Sequence, residues 1–310
     1  MIILTYVTTL YVMKNLSKIK EIYNKGGNII KYLKNLKNSS ENNIMDILIS
    51  YDFQAGSYIE IANNNPEYIE NYTTALSAYI NNLGNFESII EVGVGEATTL
   101  IPVINKLHTR PADILGLDIS LSRILFAKKY AIENKISHIK FFVSDLFSIA
   151  LRDNSVDIVF TSHAIEPNGG KEKEALEELY RITKKYLILL EPIYEFASEI
   201  GKKRMTEMGY IKNLYKTAVD LGYKVILYKE FDFVMNDLNP TGILIIEKDT
   251  DLNKSNSVDL VCPLSHTELI KHNNCSLYSK SSLLAYPIIK NIPILLSRNA
   301  IIATHLNEFD

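Results

Sequence analysis

Hydrophobic residues in the middle of this chain form short, almost unbroken runs that recur at similar intervals. Stretches of roughly helical length separate these runs, for example at residues 122–134 and 171–184. Parallel strands that are buried on both faces have this uniformly apolar character, and strands that alternate with helices indicate a βαβ arrangement. The pattern therefore predicts an α/β fold with parallel strands at residues 89–92, 111–118, 139–143, 156–161 and 186–190.

The first predicted strand leads straight into a glycine turn, residues 91–97, that carries two carboxylates. Glu91 precedes Gly93 by two positions, and Glu96 follows Gly95. A phosphate-bearing cofactor favours backbone N–H groups and a helix N-terminus without an acid nearby. S-adenosylmethionine (SAM) has no phosphate, and it carries a sulfonium and an α-ammonium that acids attract. The turn therefore favours SAM over NAD or ATP.

Carboxylates also follow two later strands of the predicted sheet. Asp118 ends the second strand, and Asp145 comes directly after the third. Ligands of open α/β sheets bind at the carboxyl edge of the strands, where these acids would meet. Simpler interpretations stay open, because glycines after a strand also form plain tight turns and an aspartate often caps a helix. The dinucleotide fingerprint is incomplete, since Thr98 stands where it requires glycine.

On these motifs, residues 45–248 resemble the SAM-dependent methyltransferases of the doubly wound α/β class. The resemblance implies a seven-stranded Rossmann-like sheet whose closing antiparallel pair lies at residues 223–233 and 241–247. It also implies that the glycine turn wraps the methionine end of SAM, that Asp118 holds the ribose hydroxyls and that Asp145 accepts from the adenine amine. The cofactor residues expected from the resemblance are Glu91, Gly93, Gly95, Asp118, Ser144, Asp145 and Ser162.

The chain ahead of the first strand is predicted to be helical and to cover the ligand edge of the sheet. Residues 14–43 are rich in Lys, Asn and Ile, with apolar residues at helical spacing. Aromatic and polar residues then interleave at 51–58, where the resembled family has a lid over SAM and substrate. This implies substrate contacts for Tyr51, Gln54 and Tyr58, although helix-on-helix packing of the tyrosines fits the pattern equally well.

Two loops after the fourth and fifth strands carry the candidate catalytic groups, because the cofactor takes the earlier loops. The first is residues 162–170, with Asn168 as a predicted substrate contact, and the second is residues 191–195. Glutamates in both loops predict an acceptor that is or becomes cationic, such as an amine, amidine or guanidine. A Glu-Pro pair also commonly ends a strand, which leaves a structural role open. The predicted catalytic residues are His163, Glu166, Glu191, Tyr194 and Glu195.

Composition narrows the kind of partner. The net charge of −3 gives no basic surface for nucleic acid, and two cysteines among 310 residues indicate a reducing compartment. Residues 1–13 are apolar but too short to span a bilayer, and they lack the basic leader of a signal peptide. They are expected to be a buried first segment or a dispensable extension. These features predict a cytoplasmic enzyme with a small-molecule substrate and with neither membrane nor nucleic acid as partner.

Polar residues 248–257 predict a linker to a small C-terminal module at residues 257–310. The Cys-Pro start of the module and its later Tyr-Pro and Ile-Pro pairs resemble the small zinc-ribbon-like proteins that activate methyltransferases in trans. Such activators cover an edge strand or apolar surface of the enzyme, so we expect the module to pack on the catalytic domain in cis. Serines replace two ligand cysteines at 265 and 279, and Cys262 alone cannot build a tetrahedral zinc site, so a metal-free, β-rich module is expected.

Together these patterns predict an N-terminal helical segment at residues 1–50, a methyltransferase domain at 51–250 and the C-terminal module at 257–310. The predicted function is SAM-dependent N-methylation of a small metabolite that bears an amine, amidine or guanidine. Methylation of a protein or of tRNA is an alternative, because stand-alone activators serve enzymes of translation. A SAM-binding scaffold without turnover is another, and a homodimer is one option for the assembly.

Overall fold

The computed structural model describes residues 14–37, 42–136, 138–249, 257–272 and 274–309. The apolar segment at residues 1–13 and most of the predicted linker lie outside these ranges, so the expectations for both stay predictions. Within the described ranges, no helix is long and apolar enough to cross a bilayer.

One mixed sheet of twelve strands forms the centre of the described part of the chain. Its first seven strands are Ser88–Val92 (β1), Asp113–Asp118 (β2), Ile139–Ser144 (β3), Val156–Ser162 (β4), Thr183–Pro192 (β5), Lys224–Glu230 (β6) and Thr241–Glu247 (β7). They lie in the order β6-β7-β5-β4-β1-β2-β3. Strands β1 to β5 pair in parallel, and β7 pairs antiparallel with β5 and β6. The predicted parallel strands and the closing antiparallel pair are confirmed.

Helices cover both faces of this sheet. They are Leu16–Asn24 (α1), Ile29–Lys37 (α2), Ile44–Phe53 (α3), Ser57–Asn64 (α4), Pro66–Asn81 (α5), Leu100–Lys106 (α6), Leu121–Glu133 (α7), Glu172–Ile182 (α8), Glu199–Met208 (α9) and Leu214–Asp220 (α10). Alternate residues of a strand point to opposite faces, so Ile89 packs in the core beneath α5, α6 and α7, whereas Ile90 packs beneath α8 and α10. Both side chains are fully buried, which explains why the strand sequence is apolar without alternation.

The N-terminal helices form a layer of their own. Ile19, Ile29, Leu33 and Ile49 make a separate small core. The side chain of Asn43 caps α3 by accepting hydrogen bonds from two backbone N–H groups of its first turn. Helix α3 thereby crosses the domain boundary that the sequence suggests at residues 50 and 51, so the helical layer and the following segment are structurally continuous.

The C-terminal module extends the sheet. Its strands are Ile270–His272 (β8), Ser276–Ser279 (β9), Leu284–Ile289 (β10), Ile292–Leu295 (β11) and Ile301–Ile302 (β12). Strand β11 lies parallel to β3, with Ile294 opposite Val143 and Leu295 opposite Ser144. The sheet therefore has twelve strands where the sequence predicts seven, because β3 is paired and not left as an open edge.

A thiol and several hydroxyls cluster inside the module. Sγ of the buried Cys262 lies 3.3 Å from Oγ of Ser282. The hydroxyls of Ser265 and Ser279 join through that of Thr267, at 2.8 and 3.5 Å. The two serines that replace cysteines of the resembled pattern therefore use their hydroxyls in hydrogen bonds. Among the residues that the structure describes, no group of three or more His, Cys, Asp or Glu side chains could hold a metal ion.

Candidate active site

A cavity of about 400 Å³ opens at the carboxyl ends of β1, β2 and β4 and under the N-terminal helices. Eleven of the sixteen predicted site residues line it: Tyr51, Tyr58, Glu91, Gly93, Gly95, Asp118, Ser144, Ser162, His163, Glu166 and Asn168. The predicted cofactor, substrate and catalytic residues thus meet at one place. Five others do not line this cavity: Gln54, Asp145, Glu191, Tyr194 and Glu195.

The glycine turn is folded tightly against β2. The backbone N–H groups of Gly93 and Val94 both donate to the carbonyl oxygen of Leu117, at 2.9 and 2.8 Å. Gly93 has a φ of +74°, and a Cβ added to it would lie 2.3 Å from the Cβ of Ala164. Only glycine fits this position, because any side chain would clash with the loop after β4.

The two acids of the glycine turn, Glu91 and Glu96, differ in their hydrogen-bond partners. The carboxylate of Glu96 accepts from the backbone N–H groups of Gly56 and Ile59, each at 2.8 Å, at the start of α4. Glu91 lines the cavity, and its Oε2 is buried without a hydrogen-bond partner. Burial, with a contribution from the nearby Asp118, raises the pKa of Glu91 well above its ordinary value. Of the two acids, Glu91 is therefore the one that keeps a carboxylate oxygen without a hydrogen-bond partner among the described residues.

Asp118 ties the glycine turn to the end of β2. Its Oδ2 accepts from the N–H of Gly95 at 3.0 Å, and its Oδ1 accepts from the N–H of Ser120 at 2.8 Å. Burial raises the pKa of Asp118, although the charge of Arg123 and the backbone donors oppose the rise. A carboxylate on the cavity wall with a lone pair left on each oxygen fits a ribose diol. The residues present therefore fit the charged and hydroxyl groups of SAM.

The two residues predicted to lie beside the adenine, Ser144 and Asp145, have different surroundings. Ser144 lines the cavity, and its Oγ accepts from the N–H of Ala150 at 3.2 Å. Asp145 does not line it: Oδ1 accepts from the N–H of Phe147 at 3.1 Å, and Oδ2 lies 3.3 Å from Nη1 of Arg298 in the C-terminal module. Asp145 therefore stabilises the turn after β3 and forms an ion pair with the C-terminal module.

His163 and Glu166 form the central polar pair of the cavity. Nδ1 of His163 lies 2.9 Å from Oε2 of Glu166, and Nε2 lies 3.0 Å from Oγ1 of Thr241 on β7. Burial lowers the pKa of His163, but the hydrogen bond and charge of Glu166 outweigh it, so the net shift is upward. Burial raises the pKa of Glu166, but the hydrogen bond and charge of His163, with hydrogen bonds from Tyr210 and Asn239, bring it below its usual value. The pair therefore holds a proton on the imidazole and a charge on the carboxylate.

Glu191 stabilises the loop that carries this pair. Its side chain is fully buried. Oε1 accepts from the N–H groups of Ala164 and Ile165, at 3.0 and 3.2 Å, and Oε2 accepts from the N–H of Glu166 at 3.1 Å. Burial raises its pKa to about 7. The carboxylate thus folds the loop that carries Glu166 and has no contact with the cavity, so the structure gives it a positioning role in place of the predicted catalytic one.

The remaining predicted residues lie away from the chemistry. The ring of Tyr194 faces Nζ of Lys212 at 4.6 Å. Glu195 accepts from the N–H of Asn213 at 2.8 Å, just before α10. The amide of Gln54 donates back to Ser50, one helical turn earlier. These three side chains stabilise local backbone and surface contacts, because neighbouring donors and acceptors satisfy them before they reach the cavity. Glu-Pro at the end of β5 therefore has the structural role that the sequence left open.

Sequence reasoning missed two charged residues that fasten the lid. Asp52 on α3 accepts from the hydroxyls of Ser120 and Ser122, at 2.6 and 3.0 Å, and so joins the N-terminal layer to the start of α7. Arg123, on the buried face of α7, lines the cavity and donates from Nε to the carbonyl oxygen of Tyr51 at 3.0 Å. An arginine on an otherwise apolar helix face is the signal that could have found it.

Tyrosines and apolar side chains form the end of the cavity that faces the N-terminal helices. The hydroxyl of Tyr72 lies 2.9 Å from Oγ of Ser162, at the end of β4. Tyr68 packs against the ring of Tyr72, with centroids 5.7 Å apart. The other apolar residues of this wall are Ile44, Ile47, Ile61, Ile69 and Met235. This end can enclose an apolar body of an acceptor.

Comparison with known proteins identifies the domain. Residues 89–186 match a family model described as a methyltransferase domain. That segment holds the glycine turn, Asp118 and the His163–Glu166 pair, and it covers about a third of the chain. No curated protein matches the chain.

Three solved structures are similar to this chain. The magnesium protoporphyrin IX methyltransferase of Synechocystis PCC 6803, with bound S-adenosylhomocysteine, has a TM-score of 0.50 at 15% identity, covering 65% of this chain and 99% of its own. A SAM-dependent methyltransferase of Aquifex aeolicus (TM-score 0.44, 18% identity) covers 55% of this chain and 87% of its own. Geranyl diphosphate C-methyltransferase of Streptomyces coelicolor A3(2) (TM-score 0.45, 10% identity) covers 56% and 77%.

The matched segment and the fold define a SAM-dependent methyltransferase, and SAM is its cofactor. Both sequence predictions are confirmed. The Synechocystis structure shares the fold with this chain, and at 15% identity it carries no information about the acceptor.

Proposed function

We propose that this enzyme transfers the methyl group of SAM to a nitrogen of a small metabolite that has an amine, amidine or guanidine group. The observation that carries the proposal is the His163–Glu166 pair in the cavity wall, with Nδ1 and Oε2 2.9 Å apart. An amine acceptor arrives protonated, because its pKa is about 10.4. It must lose a proton before it can attack, and the Glu166 carboxylate, which its lowered pKa keeps charged, can pair with the acceptor nitrogen and align it while that proton passes to solvent.

The acceptor is expected to carry an apolar body as well as its nitrogen. Tyr68 and Tyr72 make an aromatic wall opposite the polar pair, and the isoleucines of α3 and α5 continue it. Aromatic faces attract cations as well as apolar groups. A small amine with an aliphatic or aromatic part would fill this end of the cavity and direct its nitrogen towards Glu166.

SAM supplies an electrophilic methyl group on a sulfonium sulfur. The protein's own contribution is to align the acceptor and to keep water away. Tyr51 and Tyr58 cover the cavity from the N-terminal side, and Glu96 holds α4 in place by capping its start. Glu191 fixes the loop on which Glu166 sits.

A hydroxyl acceptor is a second candidate, and one observation favours it. The sequence suggested three glutamates around the acceptor, but Glu191 and Glu195 do not line the cavity. The remaining His163–Glu166 pair carries no net charge when the imidazole is protonated. A pair without net charge also suits an uncharged acceptor, such as a phenol or an alcohol.

We further propose that the C-terminal module acts as a methyltransferase activator fused in cis. Its support is the pairing of β11 with β3, which gives the catalytic sheet a neighbour along an otherwise open edge. Fusion keeps this contact at a high effective concentration. Two outcomes would contradict the proposed N-methylation of a small metabolite. One is methylation of a protein or tRNA, and the other is binding of SAM without turnover.

The test is incubation of the protein with SAM that carries a deuterated methyl group and with pools of amines, phenols, amino acids and tRNA. Mass spectrometry of the products tells an N-methyl from an O-methyl group and a small molecule from a macromolecule. Glu166→Gln should abolish turnover and leave SAM binding intact, because Gln has no charge with which to pair with the acceptor nitrogen. Glu174→Gln, on the exposed side of α8, is the matched control. Full turnover in Glu166→Gln would remove this residue from the mechanism.

A further inference from the structure

Three segments of the chain meet beside Glu166. They are the residue just ahead of the cap of α3, the loop after β4 and the end of α9: Asn42, residues 163–169 and residues 208–211. The backbone N–H of Ile211 donates to the carbonyl oxygen of Glu166 at 3.1 Å. The N–H of Gly169 donates to the carbonyl oxygen of Gly209 at 3.0 Å. The loop that carries Glu166 is therefore joined to the end of α9 at two points.

Asn42 connects the N-terminal helices to both of these segments. Its Nδ2 donates to the carbonyl oxygen of Pro167 at 2.9 Å and to that of Met208, the last residue of α9, at 3.0 Å. A carbonyl oxygen only accepts hydrogen bonds, so the amide nitrogen and not the amide oxygen must face these two groups. A single side chain thus uses both of its N–H groups to join the start of α3, the loop after β4 and the end of α9.

The loop that receives this contact has a strained backbone. His163 has a φ of +56°, in the left-handed region that residues other than glycine seldom occupy. Such a conformation persists only where the surrounding contacts impose it. Glu191 holds the loop from the side of β5, by accepting from the N–H groups of residues 164–166. Asn42 holds it from the side of the N-terminal helices.

We propose that Asn42 is a positioning residue for methyl transfer, because it fixes the distance between the Glu166 carboxylate and helix α3. Ile44, Ile47 and Tyr51 of α3 line the apolar end of the cavity, and Glu166 lies on its polar wall. An acceptor that spans the two ends is aligned only while that distance is kept, and a displacement of about 1 Å can cost about a hundredfold in rate. Asn42 itself does not line the cavity. The inference rests on the proposed role of Glu166.

A simple capping role is the competing explanation. The last carbonyl groups of a helix have no partner within the helix, and a side-chain donor can satisfy them. Asn81 does this elsewhere, since its Nδ2 donates to the carbonyl oxygen of Lys106, the last residue of α6, at 3.2 Å. Asn81 does not line the cavity. Loss of either amide should destabilise a helix end, but only loss of Asn42 should affect the His163–Glu166 pair.

Titration of the histidine side chains by NMR, on the full chain without ligands, separates the two explanations. Burial lowers the pKa of His163, but the hydrogen bond and charge of Glu166, with the charge of Glu191, raise it overall. This pKa therefore reports whether Glu166 stays in place. The signal that is missing from His163→Gln assigns the residue among the six histidines.

Asn42→Ala should lower the pKa of His163 towards its value in Glu166→Gln. Asn42→Leu, which fills the space but has no N–H donor, should do the same and serves if the alanine variant does not fold. Asn81→Ala is the matched control and should keep the wild-type pKa. An unchanged pKa in both Asn42 variants would overturn the inference. An equal fall in Asn81→Ala would also overturn it, because the effect would then be a general loosening of the fold.

Kinetics with the acceptor that the deuterated SAM assay detects give the second measurement. Asn42→Ala should lower kcat about tenfold to a hundredfold and leave SAM affinity unchanged, because alignment and not cofactor binding is lost. Wild-type kcat in this variant would contradict a positioning role. Failure of the proposed function is a different result: Glu166→Gln would then keep full turnover, whatever the titration of His163 shows.

Discussion

Nη1 of Arg298 in the C-terminal module lies 3.3 Å from Oδ2 of Asp145, the residue that follows β3. Strand β11, which ends three residues before Arg298, pairs with β3 at the same place. Next to Asp145, Ser144 lines the cavity. The module is therefore in direct contact with the loop expected to lie beside the adenine, and its influence can reach the cofactor without a change of the catalytic residues.

Arg298→Met is expected to weaken SAM binding without altering the methylated product. The ion pair is partly exposed, so the loss should be up to about fivefold. Isothermal calorimetry measures it, and Arg298→Lys, which keeps the charge, should lose less. If Arg298→Met weakened binding in the wild type but added nothing in the Asp145→Asn background, the two residues would act as a pair. Fully additive effects would mean that the ion pair does not position Asp145.

SAM affinity is expected to rise with pH. Burial holds the pKa of Glu91 well above its usual value in the free protein. Below that pKa the side chain is neutral and cannot pair with the α-ammonium, so binding must release its proton. Dissociation constants measured at a series of pH values should therefore fall as the pH increases. Glu91→Gln should bind SAM more weakly and show a flatter profile; an unchanged profile in this variant would assign the titration to another group.

Glu191 should make the folded state less stable as the pH rises. Its pKa is about 7 in the folded protein, against about 4.5 for an unperturbed glutamate. Between these values the unfolded chain loses the proton first, so the free energy of unfolding decreases with increasing pH. From pH 5 to 8, the free energy of unfolding measured with urea should fall by about 3 kcal/mol more in the wild type than in Glu191→Gln. Parallel trends would show that Glu191 does not titrate there.

Removal of the C-terminal module should destabilise the catalytic domain. A chain that ends at residue 250 lacks β11 and the fully buried Tyr286 and Leu295, each of which contributes about 1.5–3 kcal/mol by burial. We expect a lower melting temperature and aggregation through the exposed edge of β3. A chain that ends at residue 303, which loses no buried residue among those that the structure describes, is the control. Equal melting of both truncated chains would show that the module does not support the sheet.

The strands and helices could be predicted from the sequence because they follow from the local pattern of hydrophobic and polar residues. The strand predicted at residues 241–247, which has an apolar centre at 243–246, forms β7 with those bounds. The stretch at residues 122–134 corresponds to α7, Leu121–Glu133. Residues that line the cavity, such as Asp118 and Ser162, were equally accessible, since they come at the carboxyl ends of parallel strands, and these ends meet at one edge.

The roles of the acids could not be predicted in this way. Glu166 and Glu191 both precede a proline, yet one lines the cavity and the other accepts three backbone hydrogen bonds beneath it. Arg123 was missed because its function depends on two tyrosines about seventy residues earlier in the chain. Contacts between distant segments leave no periodic signal in a single sequence.

The sequence by itself determined the order of strands and helices, the acidic glycine turn and, through them, a SAM-dependent methyltransferase, because burial and turn formation act on neighbouring residues. Only the tertiary structure decided which carboxylates stay free. Glu91 and Glu96 are five residues apart, but backbone N–H groups from residues 56–59 reach Glu96 and leave Oε2 of Glu91 unpaired. The chemistry of a charged side chain depends on the donors that the fold brings to it, and most of those donors come from elsewhere in the chain.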